Sequence, residues 1–438
     1  MGAATLESRL VEAQRTVDAA YALHDASLGD PKERTARMRH ACADALAAVA
    51  QCEAAEGEAG SALDRRSLQA RLMYLRGKAA ACTEEGRLAD TTERALADAV
   101  KMDPTIIDAW NCLGECFWQR GELETARHVF LGALEHERTS TTLCHLSMLL
   151  RSMSGAMGRE ESLLVESVTL AKEAARIDPT CATVWSGLGA AHLSVHLNVT
   201  GAAEDLHFAN RAFTQASRVL APEENADVYA NHGMVCMLLD LYDASLRHFS
   251  RAHDLDAALG ADHKRQAAWQ SVVHITDAIA AKRQAIRGEG RQKRLVQMIA
   301  DLATAAPPGA GPTTLLSQLT PGDNAGRVVM LKVISALPQT GIRHASETQT
   351  LIVADQNADL MALTAYALRG VPPLEPGTTL ELREPQLLRV EVSKTWEGAS
   401  PDHGAITGFH LLRIESPSAQ MRINGHPVHA VRGGPRRR

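Results

Sequence analysis

Aromatic residues are scarce: Trp, Tyr and Phe make up 4% of the 438 residues. Beyond residue 312 there are only Tyr366, Trp396 and Phe409, too few for a strand-borne stacking platform that reads single-stranded nucleic acid. No apolar run approaches the ~20 residues needed to span a bilayer, and no basic start leads into an apolar signal core, so no membrane partner is expected. The eight cysteines end at Cys236, and their restriction to the first part of the chain suits reduced core thiols. A formal charge of -6 and a pI near 6.3 exclude a chain that coats nucleic acid along its whole length. Catalytic signatures are also missing. His192 and His196 stand four apart, but no Glu follows the first and no third ligand is evident. Gly288-Glu289-Gly290 lacks the strand a dinucleotide fold requires, and there is no Walker-type loop with lysine. Neither an enzyme nor a cofactor is expected.

What the chain does have is a recurrent helical spacing. Between Asp108 and Ala133 stand Trp110, Leu113, Gly114, Phe117, Ala126, Phe130 and Ala133, the offsets of a tetratricopeptide repeat, a helix-turn-helix unit of about 34 residues. Trp185, Leu188 and Gly189 restart the pattern, and Ala209, Phe213 and Ala216 resume it after an insertion. Tyr229, Gly233, Phe249 and Ala252 repeat it without a gap, and a degenerate copy carries Leu143, Leu146, Ser147 and Leu150. Pro104, Pro179 and Pro222 fall where one repeat hands over to the next. Each helix pair leaves an apolar face that only its neighbour can cover, so a stacked solenoid with a concave surface is expected.

The fold class expected is therefore α+β and multidomain: an all-α solenoid followed by an all-β OB-like barrel. Residues 1–72 read as capping helices, 73–262 as the solenoid, 263–306 as further capping helices with a basic segment and 307–312 as a Pro/Gly linker. Residues 313–432 read as the barrel and 433–438 as a basic tail. Val328–Ile334, Thr348–Ala354, Thr378–Leu382, Leu387–Val392 and Phe409–Ile414 are short β-rich runs between turn residues, with a helical piece expected around Leu360–Leu368.

Helical periodicity also predicts which side chains line the groove. Places 2, 5, 9 and 12 of each first helix point inward, giving Asp108, Asn111, Glu115 and Trp118 in the first clear copy. The degenerate copy offers Thr141, Cys144, Met148 and Arg151, the next Thr183, Ser186, Ala190 and Leu193, and the last Asp227, Ala230, Met234 and Met237. A peptide with a cation, an anion and apolar side chains suits such a surface, with Arg151 forking a carboxylate and Asp227 taking a basic side chain. Against this stand structural readings: Arg151 pairing with Glu160 or Glu161, Asp227 capping its helix, and Met148, Met234 and Met237 filling the core. Lys282, Arg283, Arg287, Arg291, Lys293 and Arg294 form a basic run in an otherwise acidic chain, the electrostatic pattern of a polyanion contact.

Repeats followed by such a barrel, with Asp108-Ala109-Trp110-Asn111, Leu146-Ser147-Met148-Leu149-Leu150-Arg151, Ile414-Glu415-Ser416-Pro417 and Asn424-Gly425, resemble the tetratricopeptide repeat protein 5 family. That family is known in tubulin autoregulation and as a stress-responsive transcriptional cofactor. The resemblance implies a cytoplasmic adaptor that binds the nascent Met-Arg-Glu N-terminus of α- and β-tubulin. It implies contact with ribosomal RNA near the exit tunnel, with Arg291 and Lys293 matching the family's cations, and recruitment of an adaptor to a deadenylase complex that degrades the message. The alternative it implies is a nuclear scaffold for acetyltransferase coactivators. A co-chaperone clamp for acidic tails fits less well, since Glu115 and Asp227 would repel such a ligand.

Overall fold

The computed structural model describes residues 2–25, 31–56, 65–83, 88–156, 158, 160–219, 225–286, 289–303, 313–338, 348–368, 371–392 and 408–428. The expected linker at 307–312, the tail at 433–438, Arg287 and Trp396 lie outside them. The chain forms two compact units: Met1–Ala191 with Gln215–Ala226, and His192–Thr214 with Asp227–Arg438.

The first unit is helical: α1 (Gly2–Asp25), α2 (Pro31–Glu56), α3 (Arg65–Ala80), α4 (Asp90–Met102), α5 (Ile107–Gln119), α6 (Leu123–His136), α7 (Ser140–Ala156), α8 (Glu161–Ile177) and the start of α9 (Ala182–Val195). Helix α3 crosses the boundary drawn at residue 72. The pair α3–α4 packs as the recognised pairs do. A Cβ on Gly77 would lie 2.6 Å from Leu96 Cγ, just as one on Gly114 would lie 2.5 Å from Phe130 Cε1. No larger residue fits at either place while the large partner stays where it is. Leu96 stands where the recognised copies have Phe, so this pair carries no aromatic signature. The Trp110 indole donates to the Pro104 carbonyl at 2.9 Å, and Trp185 to that of Pro179 at 2.8 Å, tying each first helix to the preceding turn. Asp103 and Asp178 accept the amide of the threonine two residues on, at 3.1 and 3.0 Å, which shapes those turns. One core unites α1 to α5 through Leu10, Val17, Val49, Leu72, Leu75, Leu96 and Leu113. Cys42, Cys52, Cys82, Cys112, Cys116 and Cys144 are buried in this unit.

The second unit joins α11 (Ala226–Leu238), α12 (Tyr242–Leu255), α13 (Ala261–Ile286) and α14 (Glu289–Ile299) to a sheet, and includes most of α10 (Ala203–Val219). Gly233 lies under Phe249 as Gly114 lies under Phe130. The strands are β1 (Gly322–Asp323), β2 (Val328–Ala336), β3 (Gln349–Ala354), β4 (Leu360–Ala365), β5 (Thr379–Arg383), β6 (Gln386–Val390), β7 (Phe409–Ile414), β8 (Met421–Ile423) and β9 (His426–Pro427). β2, β3 and β4 form an antiparallel meander, β4 runs parallel to β7, and β7 is antiparallel to β6. β5 pairs with β2 and is separated from β6 only by Glu384 and Pro385, with Glu384 at φ +50. β5 and β6 are thus the two halves of one kinked strand, which carries the sheet from β7 back to β2 and closes an OB-like barrel.

The helical piece expected around Leu360–Leu368 is a correction: residues 360–365 are strand β4. Ala, Leu and Met favour a helix locally, but β4 has a hydrogen-bonded neighbour on each side and apolar cover on both faces. Leu363 and Ala365 point into the barrel with Val329, Leu331, Val353 and Leu412. Leu360 and Ala362 point outward with Met330, Ile352 and Leu411 onto Ala268, Val272 and Ile275 of α13 and Leu295 and Ile299 of α14. With both faces covered, the period-2 alternation that marks a half-exposed strand disappears.

A buried hydroxyl fastens the barrel to the helix pair α11–α12. Tyr366 Oη lies 2.6 Å from the Leu238 carbonyl and 2.8 Å from Asp240 Oδ2, in the turn between the two helices. Arg413 lies over the Tyr366 ring and pairs with Glu415, which also meets His207 of α10. Tyr366→Phe removes the hydroxyl and weakens the satisfaction of a buried carboxylate, so it is expected to destabilise the second unit by about 1–3 kcal/mol. Urea unfolding followed by circular dichroism reads this directly, and an unchanged midpoint would show that the hydroxyl does not anchor the barrel.

Candidate functional site

In the first unit, the inward positions of α5 and α7 are embedded in hydrogen-bond chains. Asp108 is exposed and accepts from Tyr74 at 3.4 Å; Tyr74 is bonded to Lys78 at 3.1 Å, and Lys78 reaches Asp18 of α1 at 2.7 Å. Burial opposes the Lys78 charge, but Tyr74, Cys112 and Asp18 hold its ammonium above the usual lysine range. Glu115 receives the Tyr21 hydroxyl from α1 and faces His145 Nε2 at 3.2 Å. Asn111, 4% exposed, accepts the Thr142 hydroxyl at 2.9 Å, and its amide nitrogen is buried without a partner.

Glu115 is therefore engaged by α1 as well as by α7, which periodicity within one repeat did not anticipate. Tyr21 lies 94 residues away in sequence, and nothing local marks it as a neighbour of Glu115.

Arg151 differs from these residues. Its Nη1 lies 3.1 Å from Ser147 Oγ and 3.4 Å from the Ser147 carbonyl, and Ser147 Oγ in turn donates to the Ser167 carbonyl at 2.9 Å. Among the described residues no carboxylate pairs with it, so pairing with Glu160 or Glu161 is not found. Burial pushes the guanidinium down to about 10. A half-buried cation held by neutral oxygens alone is short of counter-charge. One helical turn before it, Met148 is 37% exposed, as an apolar contact surface would be, and is not buried in the core.

Asp227 is exposed in the first turn of α11 in the second unit. Met234 is half-buried and packs against the core of that unit, where Met237 is buried. On α14, Lys293 and Arg294 are exposed while Leu295 and Ile299 face the core, so those two cations occupy the solvent side of an amphipathic helix. Arg291 lies in the first turn of α14. His192 and His196 have structural partners: His192 Nδ1 meets Asp205 at 3.0 Å with its ring stacked on Phe208, and His196 Nδ1 meets the Ala202 carbonyl at 2.8 Å. In the barrel, Tyr366 and Phe409 are buried and offer no ring to a nucleobase.

Helix pairs packed glycine to large side chain, with an OB-like barrel after them, define a tetratricopeptide-repeat scaffold. Tetratricopeptide repeat protein 5 of Mus musculus is 28% identical over 385 residues, covering 84% of this chain and 83% of that protein. The Bos taurus protein of the same name is 28% identical over 375 residues, and the Homo sapiens protein 27% over 378, each covering 82% of this chain and 81% of its own. This chain is thus similar to tetratricopeptide repeat protein 5 over more than four fifths of its length. No family model matches it. Among solved structures, a thermophilic repeat protein of Thermus thermophilus is 15% identical with a TM-score of 0.34, over 43% of this chain and all of that one. YrrB, a repeat protein with an unusual peptide-binding site, is 14% identical with a TM-score of 0.32, over 46% of this chain and 94% of its own.

If the Arg151 charge serves a ligand and not the fold, the fold gains from its removal. Arg151→Leu is expected to leave thermal stability within about 1 kcal/mol of the parent or to raise it, because no buried partner is stranded. A fall of several degrees in melting temperature would mark Arg151 as structural.

Proposed function

We propose that this scaffold is a non-enzymatic adaptor that reads the nascent N-terminal Met-Arg-Glu of tubulin and brings message decay to the translating ribosome. One observation carries the reading: the half-buried Arg151 guanidinium, one turn after exposed Met148, has only neutral oxygen partners. A peptide carboxylate supplies the missing charge through charge-assisted hydrogen bonds, and the spare amide of Asn111 offers a donor for peptide backbone. The similarity to tetratricopeptide repeat protein 5 supports the choice of ligand. In this reading Asp108 and Glu115 hold the surface in place through α1. Arg291, Lys293 and Arg294 contact ribosomal RNA, and Arg287 extends that run. Two weak contacts, with peptide and with ribosome, make recognition conditional on translation and place the protein in the cytoplasm. An adaptor linked to a deadenylase complex is the partner that would act next.

The test is fluorescence anisotropy with a labelled Met-Arg-Glu-Ile peptide and a scrambled control. Arg151→Ala is expected to weaken binding about 10- to 100-fold, the value of a charged hydrogen-bond pair. Parent protein that ignores the peptide, or binding indifferent to Arg151→Ala, would overturn the reading. For the basic helix, Lys293→Glu with Arg294→Glu is expected to abolish co-sedimentation with ribosomes at low salt and leave peptide affinity unchanged. Equal ribosome recovery would remove α14 from the interface.

A further inference from the structure

The second unit contains three metal-ligating side chains that no role in peptide or ribosome binding accounts for. His232 and Cys236 lie one helical turn apart on α11, and His248 faces them from α12. One ligand atom from each falls within 4.8 Å of the other two. His232 is 5% exposed, Cys236 is buried and His248 is half-buried. The two imidazole rings stack with centres 3.9 Å apart, and the Phe213 ring backs His232 while Tyr229 backs His248.

We propose that His232, Cys236 and His248 form a site for a thiophilic transition-metal ion of the zinc or copper(I) class. Two imidazoles and a thiolate are the donor set that such borderline-soft ions select over the harder calcium and magnesium. The surroundings are arranged as a ligating cluster needs. Asn210 Oδ1 lies 3.0 Å from His232 Nε2 and 3.7 Å from Cys236 Sγ, so it accepts from both and fixes the imidazole tautomer from outside. That leaves His232 Nδ1, buried and without a hydrogen-bond partner, with a lone pair open to a proton donor or a metal ion. A purely packing role would be met by apolar residues at no such cost.

Burial holds His232 down to about 3 and His248 down to about 4, so both imidazoles are neutral at pH 7 and no proton has to leave them. Burial pushes the Cys236 thiol up to about 12, so binding releases that one proton to solvent as the metal–sulfur bond forms. The nearby cation, Arg247, pairs with Asp243, which limits its repulsion of an incoming ion. His248 is the half-buried member and the ligand nearest solvent.

The sequence signal was a His and a Cys four apart, His232-x-x-x-Cys236, with a second His at the facing place of the next helix. The same i, i+4 spacing at His192 and His196 leads instead to a carboxylate and a carbonyl.

The test uses the full chain, reduced and kept free of oxygen, titrated with Co2+ as a spectroscopic probe. The expected result is a thiolate-to-cobalt charge-transfer band that saturates near one ion per chain and is bleached by Zn2+. Cys236→Ser should abolish the band, and His248→Gln, at a half-buried position that tolerates the exchange, should weaken affinity by about tenfold or more. Far-UV circular dichroism of both variants separates lost binding from lost folding. A parallel titration with Cu+ against a copper(I) chelator assigns the ion within the class. No band in the parent protein, or a band of equal intensity in folded Cys236→Ser, would overturn the site. Neither outcome touches the peptide reading carried by Arg151, which lies on α7 in the first unit.

Discussion

Close approach of two helices at a residue with no side chain is the interaction on which the helical part of this protein depends. Gly77 against Leu96, Gly114 against Phe130 and Gly233 against Phe249 are three instances of one contact. In each, the large side chain occupies the space a Cβ would need, so the distance between the helices is set by the ring or branched chain and not by local propensity. Everything downstream inherits that spacing. The tryptophan indoles can reach the proline carbonyls of the preceding turns only if the first helix is seated at this depth. The inward residues of α5 and α7 meet across their helices for the same reason.

The interior polar groups divide into two kinds. Some are closed circuits: Asp18, Lys78, Tyr74 and Asp108 in the first unit, or Tyr366, Asp240 and Tyr242 in the second. Their charges and hydroxyls satisfy one another and hold elements in place. Others are left open. Arg151 has neutral partners where a cation wants an anion, Asn111 keeps a spare buried donor, and His232 keeps an unbonded ring nitrogen. Folds rarely tolerate such groups without a use, because each costs free energy that better-matched residues would recover. The open groups, and not the concave shape in general, are what distinguish this scaffold from a repeat protein that merely presents a surface.

The second unit shows why an OB-like barrel can follow helical repeats without a large aromatic content. Among the described residues its interior is filled mainly by Leu, Val, Ile and Ala with Met421, and its outer face by aliphatic residues with Met330 and Phe409, packed on α13 and α14. Covering both faces with helix and core leaves β4 apolar along its length but for Thr364. It also removes the exposed sheet surface on which barrels of this topology commonly stack bases. Here the barrel serves the helices α11 to α14, through Tyr366 and the apolar face, as much as the helices serve it.

Much of this was legible in the chain. The repeat offsets were fixed by sterics at single positions, so Trp110, Gly114 and Phe130 announced their contacts directly. Five of the barrel's strand segments were visible because β-branched and aliphatic runs alternate with turn residues. β4 was not, since a strand buried on both faces carries no alternation and its Ala, Leu and Met speak for a helix. The α3–α4 repeat was hidden because Leu96 stands where an aromatic is diagnostic. Helical period alone proposed Asn111, Arg151 and Met148 as inward residues. What periodicity could not say was which of those groups already had partners. Tyr21 closes on Glu115 from 94 residues away, and His248 meets His232 and Cys236 across a helix pair. The sequence by itself determined the class of fold, because close packing leaves few residue types at each repeat position. Only the tertiary structure decided which polar groups are spent and which remain open, because partnership is a matter of distance in space, and local sequence does not encode it.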